Sequence, residues 1–62
     1  MTTHRFQPVF DMDDDWFIAD AEDHTRSART FSHDNAVLFC FELERDPERK
    51  GDVSTVWERW PR

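Results

Sequence analysis

The apolar residues of the chain fall into short runs separated by polar segments, and the spacing within each run predicts an element. Segments 5–10 and 16–21 are rich in aromatic and β-branched side chains, which favour strands. Pro8 in the first run cannot donate to a sheet ladder, so the first strand is predicted at a sheet edge. The acidic segment 11–15 is predicted to be a turn between the two strands, and a second turn at 22–24 lets segment 25–31 return as a partner strand.

The apolar run 36–45 fits two periodicities. On a helix, Ala36, Cys40 and Leu43 share one face, whereas on a strand the odd-numbered apolar residues would share one face. Two flanking signals favour the helix. Ser32 is a good N-terminal cap, and an Asp-Pro dipeptide that stops a helix follows the run.

After a polar loop at 46–52, segment 53–60 has the composition of a final strand. The element order ββ(β)αβ predicts the α+β class: a small antiparallel sheet of three or four strands with one helix packed on a face. Trp57 and Trp60 are three apart and would point to opposite faces of a strand. We expect both to pack against the helix, and the alternative is that one lies in the core and the other is exposed as an interface anchor.

Composition supports a single small domain over residues 1–62. Six Phe and three Trp among 62 residues supply large apolar areas and argue against a disordered chain. Cys40 is the only cysteine and cannot form an internal disulfide. Together with an N-terminus that leads into no apolar signal segment, this predicts a cytoplasmic protein. The longest apolar run, 36–41, is too short to span a bilayer, so no membrane partner is expected.

Charge is concentrated in segment 11–23, which contains seven carboxylates and no Lys or Arg, in a chain of net charge −6. These carboxylates belong to Asp11, Asp13, Asp14, Asp15, Asp20, Glu22 and Asp23. Concentrated like charge destabilises a small fold, so the segment requires an explanation. One explanation is a contact surface for a basic partner, and the other is a solvated turn that only keeps the protein soluble.

The contact-surface interpretation depends on spacing. Alternate residues of an extended segment lie roughly 6.6 Å apart on one side, and duplex DNA carries one charge per roughly 3.4 Å along each strand. Carboxylates on a β scaffold can therefore imitate a nucleic-acid backbone towards a basic groove. Trp16 borders the acids and is predicted to be the apolar anchor of this surface. Direct nucleic-acid binding is not expected, because it requires positive charge.

Calcium binding is the alternative function for the same acids. Four of them fit positions 1, 3, 5 and 12 of a loop that resembles an EF-hand: Asp11, Asp13, Asp15 and Glu22. The match fails where the geometry is strictest, because Trp16 stands where the loop needs Gly. Other chemistry has weaker support. The His residues and Cys40 show no zinc spacing, and no nucleophile motif is present, so we predict no catalytic residue, metal or cofactor.

In its small size, negative charge, single cysteine, aromatic content and lack of catalytic motifs, the whole chain resembles the small phage-encoded anti-CRISPR proteins. The resemblance covers the general character of all 62 residues. It rests on no shared motif and assigns no functional residue. It implies an inhibitor, acting in the host-cell cytoplasm, that binds a subunit of a type I CRISPR surveillance complex and blocks target DNA. The predicted protein is therefore a monomer or weak dimer that presents segment 11–23, without catalysis, to a basic, nucleic-acid-binding host protein.

Overall fold

A four-stranded antiparallel sheet, with its strands side by side in chain order, carries one long helix on a face in the computed structural model, which describes residues 4–61. The elements are β1 (Phe6–Asp11), β2 (Asp15–Asp20), β3 (Thr25–Ser27), α1 (His33–Arg45), a 3₁₀ turn (Pro47–Arg49), α2 (Lys50–Val53) and β4 (Trp57–Arg59). The predicted α+β class is confirmed, with one short helix more than expected. In the part of the chain described, no helix has the length and apolar character needed to cross a membrane.

Strand β1 forms an edge of the sheet, as Pro8 predicts, and its outward side is largely blocked. The backbone bond from Ala21 N to Arg5 O (2.8 Å) and the ladder register show that odd-numbered residues of β1 bond to β2. Even-numbered amides therefore point away from the sheet. Of these, Pro8 has no N–H, and the Phe6 amide donates to Glu44 Oε1 at 2.7 Å.

The apolar run 36–45, whose sequence fits both a helix and a strand, belongs to helix α1 in the structure. Ser32 caps it, since the Ser32 side chain accepts a hydrogen bond from Asn35 N at 3.4 Å. The buried residues of the helix are Ala36, Cys40 and Leu43, the face that the 3.6-residue period predicts. The core between helix and sheet is completed by Phe6, Ile18, Phe31 and Val53.

The third and fourth strands are shorter than predicted. Strand β3 ends at Ser27, after which the chain leaves the sheet and Phe31 returns to bond Trp16 O through its amide (2.8 Å). The predicted loop 46–52 instead contains the 3₁₀ turn and α2, because Pro47 is well suited to the first turn of a helix. This coiled path brings Val53 into the core and leaves only three residues for β4.

The sheet buries residues on both faces. Trp57 packs against the core on the helix side, and its Nε1 donates to Lys50 O and Ser54 O. The Trp60 ring lies on the other face, 5.6 Å from the ring of Phe17. The two tryptophans therefore lie on opposite faces, which corrects the expectation that both pack against the helix and agrees with the alternative based on their spacing. We call the face without the helix the open face.

Candidate functional site

The turn between β1 and β2 carries three carboxylates that form no ion pair with the Lys and Arg residues that the structure describes: Asp11, Asp13 and Asp15. Asp11 Oδ1 accepts a hydrogen bond from Asp13 N at 2.8 Å, which holds the turn. Asp15 has φ 57°, a left-handed conformation that Asp and Asn adopt more readily than most residues. Asp11 and Asp15 are directly opposite in the ladder and share the open face. We call these three residues the turn acids.

Asp20, at the far end of β2, has a different role. Its side chain is fully buried, with Arg5 Nε 2.9 Å from Oδ1 and Lys50 Nζ 2.6 Å from Oδ2. Burial by itself raises the pKa of this carboxyl. The hydrogen bonds from Arg5 and Lys50 outweigh that effect, and the pKa falls well below its usual range. Asp20 is therefore a buried anion that links β2 to the segments before β1 and after α1.

Two further acids join the same ion-pair network. Asp23 Oδ2 lies 3.0 Å from Lys50 Nζ and 3.4 Å from Arg5 Nη2, and Glu22 Oε2 lies 3.4 Å from Arg5 Nη1. The prediction that all seven acids present one surface needs correction here. Asp20 is buried, and Glu22 and Asp23 lie at the opposite end of β2 from the turn acids, paired with cations that are distant in sequence.

Asp14 is also paired, on the open face. Its Oδ2 accepts a hydrogen bond from Arg26 Nη1 at 3.0 Å. The guanidinium carbon of Arg26 lies 3.8 Å from the centre of the Phe17 ring, and the Trp60 ring contacts the same phenylalanine edge-on. Phe17 is thereby buried on a face that has no helix to cover it. Asp14 and Arg26 therefore stabilise the sheet.

Trp16 does not lie on the face that carries the acids. It alternates with Asp15 along β2 and points to the helix side, where its ring centre is 5.4 Å from Phe10 and 4.6 Å from His33. Its predicted place as the anchor among the acids is therefore corrected. The aromatic residue of the acidic face is Trp60, which lines a surface cavity of about 280 Å³ with Asp11, Asp14 and Arg26. The three-residue spacing of the tryptophans was the sequence signal for it.

The EF-hand alternative fails on geometry. A calcium loop must bring its first and last ligands within 2.3–2.6 Å of one ion. Here Asp11 lies beside the first residue of β2 and Glu22 lies beyond its last residue, and the six residues of β2 span roughly 16 Å at ~3.3 Å per step. Within residues 4–61, no group of three or more His, Cys, Asp or Glu side chains is arranged to hold a metal ion.

Ser27 and Cys40 are buried side chains with nucleophilic atoms, and both have structural roles. Ser27 Oγ donates to Arg29 O at 2.9 Å and accepts from Ile18 N at 3.0 Å. Burial raises the pKa of the Cys40 thiol to about 12, and the negative charge of Glu44 adds to this effect. Cys40 therefore stays protonated near neutral pH, and neither group is activated for attack.

Comparison with protein-family models, with curated proteins and with solved structures found no match.

Proposed function

We propose that this chain is an acidic protein-binding inhibitor whose β1–β2 turn occludes or mimics nucleic acid at a basic DNA-binding surface of a partner. The observation that supports this proposal is that the acids of segment 11–23 fall into a paired group and an unpaired group. Arg5, Arg26 and Lys50 pair with four carboxylates of segment 11–23, while the turn acids are left together at one end of the sheet. Unpaired like charges in close register destabilise a hairpin, so their presence favours a role in binding.

The geometry suits a nucleic-acid mimic. The Cα atoms of facing residues in an antiparallel ladder lie about 5.5 Å apart at hydrogen-bonded positions, which is comparable to two phosphate steps of a DNA strand at ~3.4 Å each. Asp11 and Asp15 occupy such a position, and the turn places Asp13 beyond them. Trp60 on the same face supplies an aromatic side chain of the kind that anchors protein interfaces. The resemblance to anti-CRISPR proteins extends the proposal to a subunit of a type I surveillance complex in the host cytoplasm.

The test is competition with DNA. Purified type I surveillance complexes are mixed with labelled target DNA and increasing amounts of the protein. We expect the wild type to release DNA, and a variant with Asp11, Asp13 and Asp15 all changed to Asn to need about tenfold more protein, because each removed charge contributes roughly 0.5 kcal/mol. Inhibition by the wild type should also weaken as salt is raised.

The matched control removes the same charge elsewhere: Glu42→Gln, Glu48→Gln and Asp52→Asn, all at exposed positions. This control should inhibit like the wild type. Equal inhibition by the turn-acid variant would contradict the proposal. If that variant also precipitates at lower concentration, the turn acids would serve solubility alone.

A further inference from the structure

A second surface, on the helix side, has features of a docking site. A groove of about 170 Å³ runs between β1 and α1. Its apolar lining comes from Phe6, Pro8, Val37, Cys40 and Phe41. Phe41 is 65% exposed, and Leu38 on the neighbouring part of the helix is 61% exposed. These large apolar side chains are accessible next to a preformed depression, and apolar surface of this kind marks interaction sites.

The edge of β1 beside this groove does not suit the addition of a strand. Pro8 has no amide hydrogen, and the outward amide of Phe6 is already bonded to Glu44. An added strand would find only part of the usual ladder of donors. The occupant must therefore bind through its side chains.

The charge around the groove selects against a second copy of this chain. Two copies would bring together two molecules of net charge −6. The described lining residues include Glu44 and no Lys or Arg. Along α1, Asp34 lies seven residues before Phe41 and Glu44 three after it, so acids flank the exposed ring on the same side of the helix. Asp34 has a side chain that is 96% exposed.

We propose that this groove binds a cationic amphipathic helix of a partner protein, with one large apolar side chain of that helix beside Val37 and Phe41 and its Lys or Arg residues near Asp34 and Glu44. An amphipathic helix in an apolar groove uses side-chain anchors and needs no free strand edge. The acids beside Phe41 select the positive charge, and only the identification of this partner with the basic protein bound by the turn acids rests on the proposed function. The position of the groove, on the opposite face from the turn acids, makes it a separate contact.

The test uses two synthetic helical peptides of eighteen residues with equal numbers of Lys, one with Leu and one with Ala on the apolar face. Each is titrated into ¹⁵N-labelled full-length protein at low salt. We expect the Leu peptide to bind about tenfold more tightly than the Ala peptide, because it buries larger apolar side chains. Its amide shifts should centre on Val37, Cys40 and Phe41.

The variant Phe41→Ala should reduce Leu-peptide affinity about tenfold, to that of the Ala peptide. Val56→Ala is the matched control, since Val56 is 54% exposed and lies outside the groove. Unchanged melting temperatures of both variants show that folding is intact. The inference would be overturned by equal binding of the two peptides or by amide shifts confined to the open face. It would also be overturned if the protein sediments as a dimer and the amide shifts of the groove residues are lost on dilution, because a second copy would then occupy the groove.

The outcomes separate this inference from the proposed function. If Phe41→Ala leaves Leu-peptide binding unchanged while the turn-acid variant loses DNA competition, the groove inference fails alone. If the turn-acid variant competes with DNA like the wild type while the two peptides still differ tenfold, the proposed function fails alone.

Discussion

Asp20 is enclosed by Arg5 and Lys50, whereas Asp13, in the same acidic segment, is exposed at the β1–β2 turn. The two side chains are chemically identical, yet their effects on folding should be opposite. A buried anion with two cationic partners stabilises the fold as long as all members are present, because removing one leaves uncompensated buried charge. An exposed acid among other acids adds repulsion.

The variant Asp20→Asn should therefore lower the free energy of unfolding by about 3 kcal/mol, because Arg5 and Lys50 lose their shared counter-ion while retaining some contact with water. Asp13→Asn is the control and should change it by less than about 0.5 kcal/mol. Urea unfolding followed by circular dichroism at neutral pH measures both. Similar losses in the two variants would show that the Asp20 network does not stabilise the protein.

Acid should remove the same stabilisation. The pKa of Asp20 is lowered in the folded protein, so its contribution is complete above the unfolded value of about 3.9 and declines as pH falls below it. We expect the difference in unfolding free energy between wild type and Asp20→Asn to be constant from neutral pH to about pH 5 and to shrink steadily below about pH 4. A difference that stays constant down to pH 2 would contradict the assignment.

At the scale of elements, helix α1 begins where its cap predicts and buries the face that its period predicts. The strands are shorter than their composition suggests, because the chain after β3 and before β4 is drawn towards the core by Phe31 and Val53. Local signals therefore define the helix better than they define β3 and β4, because the lengths of these two strands depend on packing against residues distant in the sequence.

The cap gives a direct prediction. Ser32→Ala removes the side-chain acceptor of the Asn35 amide and should lower the free energy of unfolding by about 1 kcal/mol. Ser32→Asp keeps an acceptor and places a negative charge at the positive end of the helix dipole, so it should be close to the wild type. Thermal and urea unfolding compare the two variants. If Ser32→Asp lost as much stability as Ser32→Ala, capping would not explain the effect.

At the scale of the whole molecule, some acids of segment 11–23 are paired with cations and stabilise the fold, whereas others remain unpaired at the surface. One group of acids closes the fold by pairing with Arg5, Arg26 and Lys50, and the turn acids remain as a concentrated anionic end. A surface that is retained for binding often lowers stability.

Changing Asp11, Asp13 and Asp15 together to Asn should therefore raise the free energy of unfolding by about 0.5–1 kcal/mol at low salt. Asn at position 11 keeps an oxygen for the turn, and Asn tolerates the left-handed backbone at position 15. Urea titrations at low and high ionic strength measure the gain, which should shrink with salt. A clear loss of stability would instead assign these three acids a structural role.

The sequence predicts those parts of the site whose residues lie close together along the chain. The turn, its acids and their alternation along β2 are local features, so the sequence places Asp11, Asp13 and Asp15 correctly at one end of a hairpin. The partners of Asp20 lie 15 residues away at Arg5 and 30 residues away at Lys50. No local pattern indicates such pairs, because they depend on how the strands and helices pack.

The sequence by itself determined the α+β class, the capped helix with its buried face, the edge position of the first strand and the concentration of acid between residues 11 and 23. Each follows from side-chain period, backbone restriction or composition, which act over a few residues. Only the tertiary structure decided which acids are neutralised and that Trp60, not Trp16, shares the acidic face. Those outcomes depend on strand register and on cations brought from distant segments, since electrostatic pairing is governed by distance in space.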